Sequence, residues 1–101
     1  MLVIRAKFRI MPEGREPFLR AAQQLVGASR KVEGVLAYDI CASLNEPDTY
    51  VSTEVYADDA AMARQTASDA LAEAMNVFAL LMEEEPEGEI FEVSGTRPLQ
   101  D

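Results

Sequence analysis

Apolar and polar residues alternate along residues 4–10, near the start of the chain. The even positions carry the apolar side chains Leu2, Ile4, Ala6, Phe8 and Ile10. The odd positions include the cations Arg5, Lys7 and Arg9. A period of two is typical of a strand with one apolar face, and Pro12 and Gly14 end the pattern. The sequence therefore predicts a first strand whose even face packs on the core.

The spacing then becomes helical over about residues 15–31. One stripe of this segment carries Phe18, Ala22, Leu25, Val26 and Ser29. Pro17 belongs in the first turn of the helix, where its missing N–H is harmless, and Gly34 is suited to close the segment. The pattern predicts one amphipathic helix after the first strand.

Two more alternating segments, residues 35–44 and 49–56, flank the turn-forming sequence Asn-Glu-Pro-Asp. Such a short connection predicts an antiparallel hairpin. In the first of these strands one face is expected to carry Leu36, Tyr38, Ile40, Ala42 and Leu44.

The remaining segments are helical and then extended. Asp58 or Asp59 is expected to cap a helix, and Ser68 with Asp69 either starts a new helix or kinks the first one. The apolar stripe that follows contains Leu71, Met75, Phe78, Leu81 and Met82. An acidic stretch at 83–89 is expected to form a solvated turn, and residues 89–95 read as a fourth strand.

The predicted order is strand, helix, strand, strand, helix, strand. This order is typical of the α+β class with a ferredoxin-like split βαβ arrangement, formed by one domain over residues 1–101 with a loose tail from about residue 95. Both helices are expected to cover the same face of an antiparallel sheet. The other face then leaves apolar residues bare, which predicts a homodimer. The pattern leaves open which face carries Glu54 and Tyr56.

Composition excludes several functions. The formal net charge of −9 argues against binding a nucleic-acid backbone. No apolar run approaches the roughly 18 residues of a membrane span, and the charged start does not resemble a signal peptide. The single cysteine, Cys41, is read as a packed strand residue and fits a reducing cytoplasm. Without any histidine, no metal site with histidine ligands is expected.

Three segments carry a resemblance to a known family: VIRAKFRIMPEG, ASRKVEGVLAYDI and PDTYVSTEVYADDAAMARQTAS. Together they resemble the antibiotic biosynthesis monooxygenase domain over almost the whole chain, about residues 2–93. The positions that match in order and spacing are Pro12, Gly14, Gly34, Tyr38, Asp48, Glu54, Ala61 and Ser68. The resemblance implies a dimeric α+β barrel. Some members oxidise hydroquinones or aromatic polyketides with oxygen and without any cofactor.

The chain departs from the family pattern at three aromatic or basic positions. Tyr56 stands at the position of a tryptophan, and Gln65 and Ala70 stand at the positions of two histidines. Related haem-degrading proteins bind iron through a histidine, so the resemblance implies no haem chemistry here. Neither a metal nor another cofactor is expected.

Glu54 is the candidate general base, because partial burial raises the pKa of a carboxyl group. The alternative is a structural carboxylate that pairs with Arg5, Lys7 or Arg9 across the sheet, or caps the next helix.

Four further residues are candidates for substrate binding. Tyr38 and Tyr56 can stack on an aromatic ring, although aromatic residues are common in strands for packing alone. Gln65 can hydrogen-bond a substrate oxygen but cannot transfer protons. Phe78 is expected in the core, with a possible second role as a pocket wall.

Two functions follow from these residues. The first is a cofactor-independent monooxygenase that oxidises a quinol or a phenol resembling an aromatic polyketide. The second is a non-catalytic dimeric barrel that binds a small apolar ligand or serves as a partner domain.

Overall fold

The computed structural model describes residues 1–100, which form four strands and three helices. The strands are β1 (Leu2–Arg9), β2 (Val35–Ala42), β3 (Thr49–Tyr56) and β4 (Glu87–Glu92). The helices are α1 (Arg15–Ser29), α2 (Asp59–Thr66) and α3 (Asp69–Leu81), and a short 3-10 turn, Pro12–Gly14, precedes α1. The predicted α+β, ferredoxin-like order is confirmed. The Ser68 hydroxyl accepts a hydrogen bond from the Leu71 amide, so a new helix begins here.

The sheet is antiparallel throughout and has the strand order β2-β3-β1-β4. Its register pairs Ile4 of β1 and Tyr38 of β2 with Glu54 of β3. Because directly paired residues project from the same face of a sheet, all three side chains lie on one side. This is the side that the helices cover.

An aromatic cluster forms the centre of the core between the sheet and the helices. The Phe18 ring lies 4.5 Å from that of Tyr50 and 4.7 Å from that of Phe78, measured between ring centroids. Phe8 adds an edge-on contact with Phe78 at 5.7 Å. Phe18 and Phe78 are fully buried. This packing holds α1 and α3 against the sheet through apolar burial and favourable ring geometry.

A close approach of backbone to helix fixes the position of α2. Gly34, which precedes β2, has a φ of +87°, in the left-handed region that favours glycine. A Cβ atom added there would lie 2.5 Å from the Cβ of the fully buried Ala61. Asp58 caps α2 by accepting a hydrogen bond from the Ala61 amide. Glycine and alanine together therefore allow α2 to pack tightly beside β2.

The hairpin is shorter than the alternation predicts. β2 ends at Ala42, and Leu44 lies in the turn with its side chain fully exposed. A register shift between Val35 and Ala37 leaves Leu36 57% exposed. The expectation that Leu36 and Leu44 share one strand face with Tyr38 and Ile40 was therefore wrong, because a bulge and a turn interrupt the period of two.

The second face of the sheet has no covering layer within residues 1–100. Its central row of cations comes from β1 and consists of Arg5, Lys7 and Arg9. The other side chains on this face are the apolar Val3, Val51, Val55 and Phe91 and the carboxylates Glu46, Glu87 and Glu89. Lys7 pairs with Glu46 at 2.9 Å, and Arg9 pairs with Glu87 at 2.6 Å. We call this surface the open face.

Two expectations about the open face and its edge are corrected. Cys41 is exposed rather than packed, because it projects from β2 on this uncovered side. The acidic stretch is not only a turn, since Glu87 and Glu89 belong to β4, all of whose residues are exposed. Among residues 1–100, no helix is both long and apolar enough to cross a membrane.

Candidate functional site

A cavity of about 200 Å³ lies between the sheet and the helices. Its floor is formed by the helix-covered face of β1, β2 and β3, and its roof by α1, α2 and α3. Most of its walls are apolar, and its lining consists of Ile4, Phe8, Leu25, Tyr38, Ile40, Ser52, Glu54, Tyr56, Gln65, Thr66, Leu71, Met75 and Pro86. Thr66 and Pro86 are exposed, whereas Tyr38, Tyr56 and Gln65 are buried. The cavity therefore has polar groups inside and an opening toward solvent.

Glu54 is the only carboxylate in this lining, and it is half-buried. The Tyr56 hydroxyl donates to its Oε1 at 2.6 Å, and the Ser52 hydroxyl donates to its Oε2 at 3.1 Å. Burial raises the pKa of the Glu54 carboxyl, and the hydrogen bonds from Tyr56 and Ser52 partly oppose that effect. The carboxylate is thus more basic than one in water.

The alternative structural roles of Glu54 are wrong. Arg5, Lys7 and Arg9 project from the open face, on the other side of the sheet, and none of them pairs with Glu54. The cap of the next helix is Asp58. Within residues 1–100, Glu54 has hydroxyl donors and no cationic partner.

The two buried tyrosines flank this carboxylate. Tyr56 follows Glu54 by two positions on β3, and Tyr38 pairs with Glu54 from β2. Burial raises the pKa of both phenols, and for Tyr56 the hydrogen bond to Glu54 raises it further. Both hydroxyls therefore stay protonated at neutral pH. Tyr56 acts as a donor that orients the carboxylate.

Gln65 lies on the helix side of the cavity and is 2% exposed. Its Nε2 donates to the hydroxyl of Ser29 at 2.7 Å. Burial raises the pKa of the Tyr38 phenol, and interactions with Gln65 and Ser29 partly oppose that effect. A second group of polar residues thus consists of Gln65 from α2, Ser29 from α1 and Tyr38 from β2.

The structure brings Glu54, Tyr38, Tyr56 and Gln65 together around one cavity. It places the fifth candidate, Phe78, in the aromatic core, outside the cavity lining. Ser52 and Ser29 were not singled out from the sequence. A signal for Ser29 was present, because a hydroxyl in an apolar helical stripe requires a hydrogen-bond partner when it is buried.

A larger groove of about 420 Å³ lies between α1 and the edge strand β2. It is lined by apolar side chains and by the ion pair between Arg30 and Asp39, and it contains none of the five candidate residues. We assign the site to the smaller cavity, because convergent polar groups and a perturbed carboxyl pKa are better indicators of chemistry than volume. Within residues 1–100 no group of three or more Asp, Glu or Cys side chains is arranged to hold a metal ion.

Comparisons with known proteins agree with this architecture. The model of the family described as antibiotic biosynthesis monooxygenase matches residues 1–77. A Bacillus subtilis protein named "Putative monooxygenase YcnE" is 44% identical over 62 residues, which span 61% of this chain and 65% of that protein.

Solved structures of low sequence identity share the fold. An antibiotic biosynthesis monooxygenase homologue from Deinococcus radiodurans superposes with a TM-score of 0.90 at 17% identity and covers 100% of both chains. One from Nitrosomonas europaea has a TM-score of 0.88 at 21% identity and covers 94% of this chain and 100% of its own.

Proposed function

Because this chain belongs to the antibiotic biosynthesis monooxygenase family, we propose that it oxidises a quinol or a phenol with molecular oxygen and without a cofactor. The observation that supports this most is the environment of Glu54. One carboxylate faces a mostly apolar cavity, two hydroxyl groups orient it, and no cation among residues 1–100 pairs with it. A group in such an environment is suited to remove a proton from a bound hydroxyl.

The first step of the proposed reaction is deprotonation of the substrate. The aromatic ring lies among the apolar walls, against Tyr38 and Tyr56, and one of its hydroxyls approaches the free lone pairs of Glu54. Since burial raises the pKa of Glu54, this pKa lies closer to that of the substrate hydroxyl than the pKa of an exposed carboxyl group does. The proton moves from the substrate oxygen to Glu54.

The second step is oxidation of the resulting anion. Electron transfer from the anion to oxygen, followed by bonding between a ring carbon and oxygen, needs no group from the protein. The peroxide formed in this way takes back the proton held by Glu54, and loss of water, with the hydrogen of the same ring carbon, leaves one oxygen atom on the ring as a carbonyl. For a hydroquinone the balanced products are hydroxyquinone and one water molecule, and the substrate supplies every electron that oxygen takes up. The mostly apolar walls of the cavity limit the access of water to these steps.

We further propose that the chain forms a homodimer through the open face. This surface combines exposed apolar side chains such as Phe91, which is 45% exposed, with alternating cations and carboxylates. A second sheet packed on it removes this apolar area from water and gives the barrel architecture expected of the family. Sedimentation at micromolar concentration is expected to show a dimer, and a monomer would contradict the proposal.

Oxygen consumption tests the proposed activity. Purified protein is added to air-saturated solutions of one-ring, two-ring and three-ring hydroquinones and phenols, and the rate of uptake is compared with the rate without protein. At least one compound is expected to be consumed faster with protein. If no compound is, while one of them binds, the chain is a ligand-binding barrel and the monooxygenase proposal is wrong.

A further inference from the structure

Gln65 contains the one buried side-chain polar atom within residues 1–100 that has no hydrogen-bond partner, its Oε1. Such atoms are rare, because leaving a buried acceptor unpaired costs the free energy of its lost hydration. The other end of the same amide is held, since Nε2 donates to Ser29 at 2.7 Å. The side chain is therefore fixed while its oxygen is unused, and it lines the cavity that contains Glu54.

The position of Gln65 relative to Glu54 follows from Tyr38. Tyr38 is paired with Glu54 at the sheet, and both line the same cavity as Gln65, which belongs to α2 on the helix side. The cavity therefore has Glu54 and Tyr38 on its sheet side and Gln65 on its helix side. A ligand ring stacked along Tyr38 has Glu54 near its sheet end and Gln65 near its helix end.

The volume limits the size of that ring system. A cavity of about 150 Å³ in another protein holds benzene, and the present cavity is about 200 Å³. One substituted ring is enclosed by this space, whereas three fused rings exceed it and would project through its opening. The close contact of Gly34 with Ala61 places α2 near β2 on one side of this cavity.

From these observations we infer that Gln65 is a specificity-determining residue, which accepts a hydrogen bond from the second hydroxyl of a one-ring dihydroxy substrate while Glu54 receives the proton of the first. This inference rests on the proposed function for the identity of the substrate. After oxidation the second oxygen is a carbonyl and can no longer donate to Oε1. The hydrogen bond is then lost, which favours release of the product.

Binding without oxygen tests the inference separately from turnover. Titration calorimetry in anaerobic buffer measures the affinities of hydroquinone, phenol and anthrahydroquinone for the native chain and for Gln65→Met. This substitution keeps the length of the side chain and removes its amide. Gln24→Met makes the same change on the exposed side of α1. The native chain and Gln24→Met are expected to bind hydroquinone about tenfold more tightly than phenol, because one additional hydrogen bond to a buried acceptor contributes about this factor in affinity.

The variant at Gln65 is expected to lose this preference and to bind phenol as the native chain does. Gln65→Glu retains acceptor oxygens and is expected to keep the preference, which provides a second measurement if the methionine variant is poorly folded. Equal affinity of the native chain for hydroquinone and phenol, or an unchanged preference in Gln65→Met, would overturn the role of Gln65. Tight binding of anthrahydroquinone would overturn the size limit. Selective binding of hydroquinone together with no oxygen uptake in air would leave the role of Gln65 standing and remove the monooxygenase function.

Discussion

The glutamates on the two faces of the sheet have pKa values shifted in opposite directions. On the helix-covered face, burial raises the pKa of Glu54, and its partners are the hydroxyls of Tyr56 and Ser52. On the open face, the hydrogen bond and charge of Arg9 lower the pKa of Glu87, and those of Lys7 lower the pKa of Glu46. Adjacent residues of a strand project to opposite faces, so the alternation along β1 and β3 places Glu54 on one face of the sheet and the cations of β1 on the other.

The largest expected difference between the faces is in catalysis. Replacing Glu54 with Gln removes the proposed base, so the maximal rate of oxygen uptake with the preferred quinol is expected to fall by roughly 10²–10⁴-fold. The matched change on the open face, Glu87→Gln, is expected to leave the rate within about twofold, because the exposed pair of Glu87 with Arg9 contributes little. Equal rates for Glu54→Gln and the native chain would show that Glu54 is not the base.

The next difference concerns stability. Phe18 is fully buried and contacts Tyr50 and Phe78, so Phe18→Ala is expected to lower the free energy of unfolding by about 3–5 kcal/mol. Phe91 on the open face is 45% exposed in the single chain, so Phe91→Ala is expected to destabilise the monomer much less. Urea unfolding monitored by circular dichroism measures both. In the proposed homodimer Phe91 is buried between two chains, so the loss for Phe91→Ala is expected to grow with protein concentration, whereas the loss for the monomer stays small.

A smaller effect is expected from Tyr56→Phe, which removes the 2.6 Å hydrogen bond to Glu54 and keeps the ring. That bond lowers the pKa of Glu54, so its loss is expected to raise this pKa and move the acid limb of the pH–rate profile to higher pH. The profile of oxygen uptake, compared with that of the native chain, measures the shift. An acid limb that stays in place or moves to lower pH would contradict the orienting role of Tyr56.

The smallest expected effect is the pH dependence of stability, which has opposite signs on the two faces. The pKa of Glu54 is raised above its ordinary value of 4.5, so ionising it in the fold destabilises the protein as pH rises through that range. Glu54→Gln is expected to gain stability relative to the native chain between acid and neutral pH. The pKa of Glu87 is lowered, so its ionisation stabilises the fold as pH rises through the same range. Glu87→Gln is therefore expected to be less stable than the native chain at neutral pH and to match it more closely in acid. Denaturant unfolding at several pH values measures both, and equal signs would contradict the contrast.

Much of the fold was predictable because local patterns carried it. The alternation in β1 and β3, the turn residues between β2 and β3, and the caps at Asp58 and Ser68 each depend on residues close in sequence. The errors occurred where a distant contact decided the outcome. Leu36 was misplaced because β2 carries a bulge against β3, and Cys41 was misplaced because none of the helices that the structure describes covers its side of the sheet.

The candidate site divides in the same way. By itself the sequence determined that Glu54 and Tyr56 share one face of a strand, since their separation is two positions, and the family resemblance singled out Tyr38 and Gln65. Only the tertiary structure decided that the helices cover this face and that Arg5, Lys7 and Arg9 lie on the other. It also decided that Gln65 meets Ser29 and Tyr38 with its oxygen unpaired. The physical reason is that the pKa of a carboxyl group and the pairing of an amide depend on neighbours brought together by long-range packing, for which local periodicity carries no information.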